Sequence, residues 1–528
     1  MTVINKYFKD DVLKLDPNHK PKLPEELEHS RPLDVHKWSD YKHVNAFIDL
    51  IWDEFFSSSY PVKTVGGNQP KSKPKKQLKV LLLDLYVAWH LDPTLLTGIG
   101  LSESSYTANS RYNELHISFE LVNIVHLAVG VGLIDYHYGT EGSGMVTRIW
   151  PTAYLIDKFI EADLGIEDIY RHPDTEVICL GKNNFEVEDD SSKKHKYVEY
   201  EDKDAPEAIH QWRIDLKAYN KLLEESFIDI VTIEKPVVKQ PYWDKRLRRH
   251  SYKLVEISPR NSFVRRVFYR EDWALGGRFH GGWWQMVGSK WRKHIYINDK
   301  PTDEQDFSGL HVTLLYGLEG LQPPPDPYAL SLESNFTQEE SRAIIKALVL
   351  TAINAKDRKS AFQAFRQDQE EGTAEKRLKN VQLIKFLDAF CANNQPIAHY
   401  LCKDMGVKLM AMDGRITAKV INHFTNKGIP VLTIHDSYLA DIEYQKELNE
   451  VMNEAITAEL DFASTKFKAR IKPTYRAMGW IKAWEQEEGT SPELVKMYAD
   501  TPNSIRCNGY LERLTLWGQK ESNKGNHL

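Results

Sequence analysis

Cysteine is scarce in this chain, which has four among its 528 residues: Cys179, Cys391, Cys402 and Cys507. They lie far apart and form no CxxC pair, which argues against a disulfide scaffold and against a structural zinc site. No run approaches the roughly eighteen apolar residues that a membrane-spanning helix needs, and the N-terminal segment lacks a signal-peptide core. We therefore expect a soluble, cytoplasmic protein with no membrane partner.

Net charge is also small, because 69 Lys and Arg residues nearly balance 75 Asp and Glu residues to give −6. Taken alone, this balance argues against a protein coated in nucleic acid. The distribution is uneven, however, since residues 235–300 hold sixteen Lys or Arg and only five Asp or Glu. Phosphate binding depends on the local field, so this stretch is a candidate for contact with nucleic acid.

The N-terminal part shows a helical pattern followed by a hairpin pattern. Residues 61–77 are rich in Gly, Pro, Ser and Lys and predict a mobile basic linker or arm. LKVLLLDLYVAWHL predicts a buried helix, and YNELHISFELVNIVHLAVGVG a second helix that ends on glycines. LIDYHY and MVTRIW alternate and predict a hairpin. The order resembles a winged helix, in which one helix enters the major groove; a helical domain for protein contacts is the alternative.

A glycine-rich motif, Gly276-Gly277-Arg278, is followed by Trp283 and Trp284. Paired glycines let the backbone approach a ligand closely, and the arginine beside them can clamp a phosphate. Two adjacent tryptophans offer a surface on which bases stack. The motif predicts contact with nucleic acid through Gly277, Arg278, Trp283 and Trp284. A tight turn over an aromatic core is the alternative.

Two aspartates next to strand-like segments are candidates for metal binding. Asp306 follows the apolar segment HIYIN and precedes another apolar run, so we expect it where a strand ends and a helix begins. Asp436 stands between VLTI and YLADI, which predict a hairpin with this carboxylate at its tip. Mg²⁺ prefers few carboxylates with phosphate and water oxygens, and two such ions serve phosphoryl transfer. The pattern predicts a two-metal site at Asp306 and Asp436.

Basic residues recur at helical spacing between these aspartates. Arg342 and Lys346 are four positions apart, so they share one face of a predicted helix that Leu350 and Asn354 continue. A cationic pair on that face can hold a triphosphate and stabilise the leaving pyrophosphate. The same spacing is typical of a solvated helix face, which is the alternative.

These motifs resemble those of the superfamily that joins family-A DNA polymerases and single-subunit, phage-type RNA polymerases. Asp306-Phe-Ser resembles motif A, Arg342-xxx-Lys346 resembles motif B, and His435-Asp436-Ser437 resembles motif C. The resemblance covers approximately residues 255–480.

Two further short elements fit the same order. Asp326-Pro-Tyr328 resembles the D-x-[HY] element between motifs A and B, and Gly277-Arg278 resembles the upstream element that touches the template backbone. Each motif is short, and it is their order along the chain that carries the resemblance.

The resemblance implies catalytic and metal-binding roles. Asp306 and Asp436 would bind two Mg²⁺ ions, for which Mn²⁺ is a possible substitute. Arg342 and Lys346 would bind the incoming triphosphate, with Lys346 as the catalytic proton donor to pyrophosphate. Asp413, on the helix before motif C, is a further polar candidate; an exposed or N-cap position is the alternative for it.

The resemblance also implies contacts with the nucleic acid and the nucleotide sugar. Arg278 would contact the template strand and His435 the growing 3′ end. His311 stands where family-A DNA polymerases place a Glu that excludes a 2′-hydroxyl, and Asn354 where family members usually carry Tyr. Ser437 is more typical of the RNA polymerases, so the choice between dNTP and NTP stays open.

The expected architecture is α+β, a right-hand polymerase palm with reduced fingers that follows a winged-helix-like DNA-binding module. The expected segments are an N-terminal region with linker (1–77), a winged-helix-like domain (78–157), a thumb-like or accessory region (158–254), palm and fingers (255–480) and a tail (481–528). The expected function is template-directed nucleotidyl transfer with a DNA template and nucleoside triphosphates, for replication or transcription of a phage or mobile element. A primase-like or template-independent terminal transferase and a non-catalytic DNA-binding replication initiator or regulator are the alternatives.

Overall fold

The computed structural model describes residues 15–60, 72–139, 146–182, 197–244, 249–330, 336–370, 372–460, 469–473 and 506–524. These residues form a mixed α+β structure, as the sequence predicts. Within these ranges, no helix combines the length and the apolar character needed to cross a bilayer.

The N-terminal part packs helices against a small sheet. In chain order its elements are α1 (Pro24–Glu28), β1 (Ser30–Pro32), β2 (Lys37–Trp38), α2 (Lys42–Ile51), α3 (Ser72–Leu91), β3 (Leu96–Ile99), α4 (Glu120–Gly130), β4 (Ile134–His137), β5 (Thr147–Pro151), α5 (Ala153–Glu161) and β6 (Tyr170–Arg171). The sheet has the order β1-β3-β5-β4, with β1 parallel to β3 and the other neighbours antiparallel. β2 pairs with β6 and joins the start of this part to its end.

The hairpin and the first helix predicted here are confirmed, but the second helix is shorter than predicted. α4 begins at Glu120, and the preceding residues form turns. The amide of Asn113 donates to the carbonyl of Ile117 at 2.7 Å, and its carbonyl oxygen accepts from the Ile117 N–H at 2.9 Å. Such local side-chain bonds compete with helical ones. Of the predicted linker at residues 61–77, residues 72–77 belong to α3, and residues 61–71 lie outside the described residues.

The two long helices of this part are buried, which bears on the predicted major-groove helix. α3 is buried almost continuously from residue 77 to 88, and α4 buries Leu121, Val122 and residues 124–128. A helix that reads a groove must present its side chains to the bases. α4 also contains no Lys or Arg. α4 is therefore unsuited to reading a groove, and the prediction that a helix of this part enters a major groove stays a prediction.

Lys79 on α3 has a buried ammonium group, which makes the free energy of unfolding depend on pH. Its Nζ donates to Asn45 Oδ1 at 2.7 Å and lies 3.7 Å from the centre of the Trp38 ring, and burial lowers its pKa to about 8. The folded protein releases this proton at a lower pH than the unfolded chain, where lysine titrates near about 10.4, so stability increases as the pH rises above about 8. Between about pH 7.5 and about pH 9.5, we expect the free energy of unfolding in urea to increase by about 1–2 kcal/mol more in the wild type than in Lys79→Met. Equal pH dependence in both proteins would contradict the assignment.

The middle part joins a long helix to two sheets. Its elements are β7 (Ile178–Leu180), α6 (Ile209–Glu224), β8 (Ile228–Ile230), β9 (Val237–Asp244), β10 (Arg249–Glu256), β11 (Val264–Tyr269) and β12 (Asp272–Gly281). β9 and β10 form a separate antiparallel hairpin, and β12, β11 and β7 form a three-stranded sheet in that order.

The C-terminal half is built on a six-stranded sheet. Its elements are α7 (Ser289–Arg292), β13 (Ile295–Ile297), β14 (Lys300–Phe307), α8 (Leu310–Leu318), α9 (Gln338–Asn354), α10 (Arg358–Asp368), α11 (Asn380–Asn393), α12 (Gly406–Thr425), β15 (Val431–Ile434), β16 (Ser437–Asp441), α13 (Gln445–Glu459), β17 (Ile471–Pro473) and α14 (Asn508–Lys524). The sheet has the order β15-β16-β14-β13-β8, and β17 also pairs with β14.

The last helix lies in the segment expected to be a tail, and it is docked on this sheet. Tyr510 on α14 is fully buried, and its hydroxyl donates to Asp299 Oδ1 at 2.8 Å. Arg513 donates to both carboxylate oxygens of Asp229, at 2.7 and 3.1 Å. α14 therefore covers strand β8 at the sheet edge.

Candidate active site

Asp306 and Asp436 lie on neighbouring antiparallel segments. The register of β14 and β16 places Asp306 opposite Ser437, and the N–H of Phe307 donates to the carbonyl of Asp436 at 3.2 Å. β14 ends one residue after Asp306, and α8 begins at Leu310. The predicted strand-to-helix position of Asp306 is confirmed, and the structure brings together two aspartates that are 130 positions apart.

Asp436 occupies the predicted hairpin tip. Ile434 pairs with Ser437, so His435 and Asp436 form a two-residue turn between β15 and β16. His435 has a φ of 55°, the left-handed conformation that tight hairpin turns require. The hairpin prediction is therefore confirmed, and the turn holds the aspartate out of the strand ladder.

Charges of both signs surround Asp436. Burial raises the pKa of this carboxyl, and the negative charge of Glu304 contributes to the rise. Arg278 and Lys346 oppose the rise because each favours the ionised form. The hairpin tip is thus a partly buried anionic position that a nearby cation would stabilise.

Helix α12 contacts β12 backbone to backbone at a pair of glycines. A β-carbon on Gly414 would lie 2.1 Å from the carbonyl oxygen of Gly277. That oxygen also accepts from Arg266 Nε at 3.0 Å, and Gly277 has a φ of 77°. Gly277 therefore brings the backbone close to α12 and not to an open ligand surface, so its predicted nucleic-acid contact is wrong.

Replacing Gly414 by alanine should separate this contact. We expect Gly414→Ala to lower the free energy of unfolding by about 2–4 kcal/mol, because backbone cannot yield to the added methyl group. Gly518→Ala on α14 is the matched control, since nothing lies within 4 Å of its added β-carbon. The control should be neutral or slightly stabilising, as alanine favours a helix. Urea denaturation of both variants is the measurement, and equal stabilities would refute the close contact.

The close contact of Gly414 with Gly277 brings the neighbouring residue Asp413 beside the candidate site. Asp413 is fully buried in the middle of α12, and Arg278 Nε donates to its Oδ2 at 2.5 Å. Burial raises the pKa of Asp413 to about 6 although Arg278 opposes the rise, and the charge of Asp436 adds to it. The alternative of an exposed or N-cap Asp413 is wrong.

Arg278 also contacts His311 on α8. Arg278 Nη2 lies 3.1 Å from His311 Nε2. A guanidinium can only donate, so Nε2 accepts and the ring proton resides on Nδ1. Burial, together with Arg278, lowers the pKa of His311 to about 3, which keeps the ring neutral. Arg278 thus connects β12, α8 and α12, and its predicted contact with a template phosphate stays a prediction.

The predicted basic face of α9 is present as one helix face. α9 spans Gln338–Asn354, with Lys346 and Leu350 exposed and Arg342 and Asn354 partly buried. Arg342 donates to Asp326 Oδ2 at 2.5 Å, which links α9 to the segment between α8 and α9. Asn354 donates to the carbonyl of Leu350 at 3.1 Å. The triphosphate role of this face stays a prediction.

The two adjacent tryptophans belong to the core. Trp283 and Trp284 are both 0% exposed, and Trp284 Nε1 donates to the carbonyl of Thr433 at 2.9 Å. Rings without accessible faces cannot stack on bases, so the predicted nucleic-acid role of Trp283 and Trp284 is wrong. The alternative of a turn over an aromatic core is the correct one. The hydrogen bond from Trp284 holds strand β15, which leads into the turn at His435 and Asp436.

His435 has aromatic neighbours at the hairpin tip. Its ring centre lies 5.8 Å from that of His280, in an edge-to-face arrangement. The Tyr269 hydroxyl lies 2.8 Å from His280 Nε2. His435 remains exposed, so it is accessible to a ligand at the turn.

Glu304 and Arg292 form a buried ion pair that the sequence analysis missed. Arg292 donates from Nε to Glu304 Oε2 at 2.9 Å and from Nη2 to Oε1 at 3.1 Å. Ser437 Oγ also donates to Glu304 Oε1 at 2.7 Å. The available signal was alternation along β14, which puts Glu304 and Asp306 two positions apart on one face of the strand.

Asp306 and Asp436 suit Mg²⁺ better than a metal that requires a full protein cage. Within the described ranges, no group of three or more His, Cys, Asp or Glu side chains is arranged to hold a metal ion. Mg²⁺ needs only one or two carboxylates when phosphates and waters supply its other oxygens. The raised pKa of Asp436 is consistent with a position that a cation would stabilise. The residues present therefore fit Mg²⁺ that binds together with a nucleotide.

Comparison with protein-family models finds no match to this chain, and a search of curated proteins also finds none. The geometry of the site is therefore what supports a function.

Proposed function

We propose that this chain is a template-directed nucleotidyltransferase, with Asp306 and Asp436 as the ligands of two Mg²⁺ ions. One observation carries the proposal: the fold gathers residues from four separate sequence motifs at one place. Asp306 and Asp436 are on adjoining segments. The positive charges of Arg278 on β12 and Lys346 on α9 both act to lower the pKa of Asp436. A structural role alone would not require two aspartates and two cations at this point.

The surrounding elements support a right-hand palm. β14 and the β15–β16 hairpin are antiparallel neighbours, and α12 precedes the hairpin and packs against β12. α9, α10 and α11 lie between motifs A and C and correspond to small fingers. This arrangement puts Asp306 near the end of a sheet strand, Asp436 in the adjoining hairpin turn and the basic face of α9 on a separate helix.

The chemistry of each side chain suggests its role in nucleotidyl transfer. Asp306 and Asp436 would hold Mg²⁺, which would supply positive charge for the transferring phosphoryl group. Lys346 is exposed, so it can bind the triphosphate and donate a proton to pyrophosphate, with Arg342 beside it. Arg342 must then exchange its ion pair with Asp326 for the phosphates. His311 is neutral and bound to Arg278 through Nε2, and its Nδ1 is buried, so we assign it to positioning Arg278 beside the nucleotide site.

For the N-terminal part we assign a winged-helix-like arrangement that contacts DNA through phosphates. β3 lies between α3 and α4 and pairs with β5, the last strand of the following hairpin, as the first strand of a winged helix does. Because α4 is buried and contains no Lys or Arg, we do not assign it any contact with the base edges of DNA. The hairpin segment 133–151 holds one Arg and two acidic residues, so contact with DNA is assigned to the basic segment 61–77, of which residues 61–71 lie outside the described residues.

The experiment that tests the proposal is an incorporation assay with purified protein and Mg²⁺. Primed and unprimed DNA and RNA templates are each supplied with dNTPs or NTPs in separate reactions. Incorporation that follows the template sequence supports the proposal, and the productive sugar assigns dNTP or NTP. Extension without any template would instead identify a terminal transferase. Initiation without a primer would identify a primase-like enzyme. DNA binding with no incorporation under any condition would favour a non-catalytic initiator and refute the proposal.

A further inference from the structure

The β9–β10 hairpin exposes two large aromatic side chains next to each other in sequence. Trp243 is 41% exposed, and Tyr242, which strand alternation puts on the opposite face of the hairpin, is 36% exposed. Exposed aromatic rings at this level are typical of binding surfaces, where tryptophan and tyrosine are enriched. The far half of the hairpin is therefore a candidate surface for a partner.

The base of the hairpin is fixed to the rest of the molecule. Val238 and Val255 are buried, and they pack in the same hydrophobic cluster as the strands of the central part. Gln240 Oε1 accepts from the N–H of Gly288 at 3.0 Å. The exposed rings thus sit on an anchored element and need no large rearrangement to bind.

One face of the hairpin combines aromatic and cationic side chains. The register places Trp243 opposite His250, so the two share a face, and their ring centres are 5.0 Å apart. Lys239 and Tyr252 share the same face through the alternation of the strands, with Lys239 Nζ 4.9 Å from the Tyr252 ring centre. From Trp243 to Lys239 this face extends for roughly 13 Å along the strand.

A groove lined by charges of both signs, with one more Lys than carboxylates, continues this face at the base of the hairpin. It has a volume of about 500 Å³, and its lining includes Lys22, Lys235 and Lys239 together with Glu26 and Asp92. Lys235 Nζ lies 3.3 Å from Asp92 Oδ2, which offsets that carboxylate. In the sequence, residues 237–256 hold six Lys or Arg and two Asp or Glu, and residues 245–248 among them lie outside the described residues. The basic excess of this sequence segment, together with the exposed Trp243 ring, favours a polyanion with flat rings.

We propose that this face binds a single strand of DNA, with an unpaired base stacked on the exposed Trp243 and phosphates beside Lys239 and the adjoining groove. Stacking platforms interleaved with cations are how proteins hold single strands without reading their sequence. Duplex DNA does not fit as well, because its base faces are already stacked inside the helix. The inference rests on the proposed function, in which the strand is the template.

The test is fluorescence anisotropy of a labelled oligo(dT) with full-length protein, without nucleoside triphosphates. Trp243→Ala should weaken binding about tenfold and leave the salt dependence unchanged, since a stacked base is lost but no phosphate contact. Lys239→Gln should weaken binding and reduce the slope of log affinity against log salt by about 0.7. Tyr154→Ala on α5, where the ring is 43% exposed, is the matched control and should bind like the wild type.

Three results would overturn the inference. The first is that Trp243→Ala binds oligo(dT) as tightly as the wild type. The second is that Trp243→Ala loses as much affinity for a duplex as for the single strand. Tighter binding of oligo(U), with the same dependence on Trp243, would overturn the assignment to DNA. The two proposals also fail separately. If the wild type incorporates nucleotides but Trp243→Ala binds oligo(dT) normally, only the proposed single-strand site on the hairpin is refuted. Binding that depends on Trp243 without any incorporation refutes only the polymerase.

Discussion

Asp436→Asn is expected to lower nucleotide incorporation at least about a thousandfold and to leave the protein as stable as the wild type, or more so. The amide keeps the size of the side chain and removes the charge that would hold Mg²⁺. Burial raises the pKa of Asp436, which means that its ionised form is costly in the folded state. A neutral side chain removes that cost. The combination of lost activity and retained stability is a signature that a structural aspartate would not give.

The measurement is single-turnover incorporation beside urea denaturation, with Asp306→Asn as the companion variant. Both aspartates should give the same large loss of rate, because each is assigned to the same metal site. Asp157→Asn is the control, since Asp157 is exposed on α5 and away from the motifs. Wild-type incorporation by either active-site variant would refute the proposed function.

Lys346→Ala extends the same series. Its exposed ammonium is assigned to the triphosphate, where charge develops during the reaction, so the rate should fall by about a hundredfold with little change in DNA affinity. A loss of DNA affinity as large as the loss of rate would move Lys346 from the nucleotide to the nucleic acid.

The hairpin tip and the strand-to-helix position were predictable because local patterns determine them. VLTI and YLADI are strand-like segments on either side of His435-Asp436-Ser437, and Asp306 is the penultimate residue of β14 and precedes the apolar helix α8. In both cases the carboxylate lies where a strand ends, and adjacent residues carry that information. The helix face of Arg342 and Lys346 was predictable for the same reason, since four-residue spacing is a local property.

What the sequence did not predict depends on contacts between distant segments. The ion pairs of Arg278 with Asp413 and of Arg292 with Glu304 join residues whose relation no spacing encodes. Trp283 and Trp284 failed as a stacking surface because composition does not tell a buried ring from an exposed one. The exposed rings lie forty positions earlier, on the β9–β10 hairpin. The start of α4 was misplaced because one asparagine side chain replaced helical hydrogen bonds.

The pair of Arg278 and Asp413 provides the second large expected effect. Arg278→Met alone leaves a buried carboxylate next to Asp436, and Asp413→Leu alone leaves a buried guanidinium. Removing one partner of a buried ion pair typically costs about 3–5 kcal/mol, so each single variant should be destabilised by that order in urea denaturation. The double variant Arg278→Met/Asp413→Leu should recover most of the loss, because an apolar pair of similar volume needs no charge partner. Additive losses in the double-mutant cycle would show that the two residues do not act together.

The double variant also separates structure from function at this position. Arg278 opposes the rise in the pKa of Asp436, so it helps to keep that carboxylate ionised and ready for Mg²⁺. A double variant that regains stability should still incorporate nucleotides slowly, with a higher Mg²⁺ requirement than the wild type, because the charge beside Asp436 is missing. Arg278→Lys with intact Asp413 keeps that charge but loses the geometry of the guanidinium and the bond to His311. It should therefore need less Mg²⁺ than the double variant. If stability and the Mg²⁺ requirement return together in the double variant, Arg278 acts only by holding α12 against β12, and its contribution to the site is packing alone.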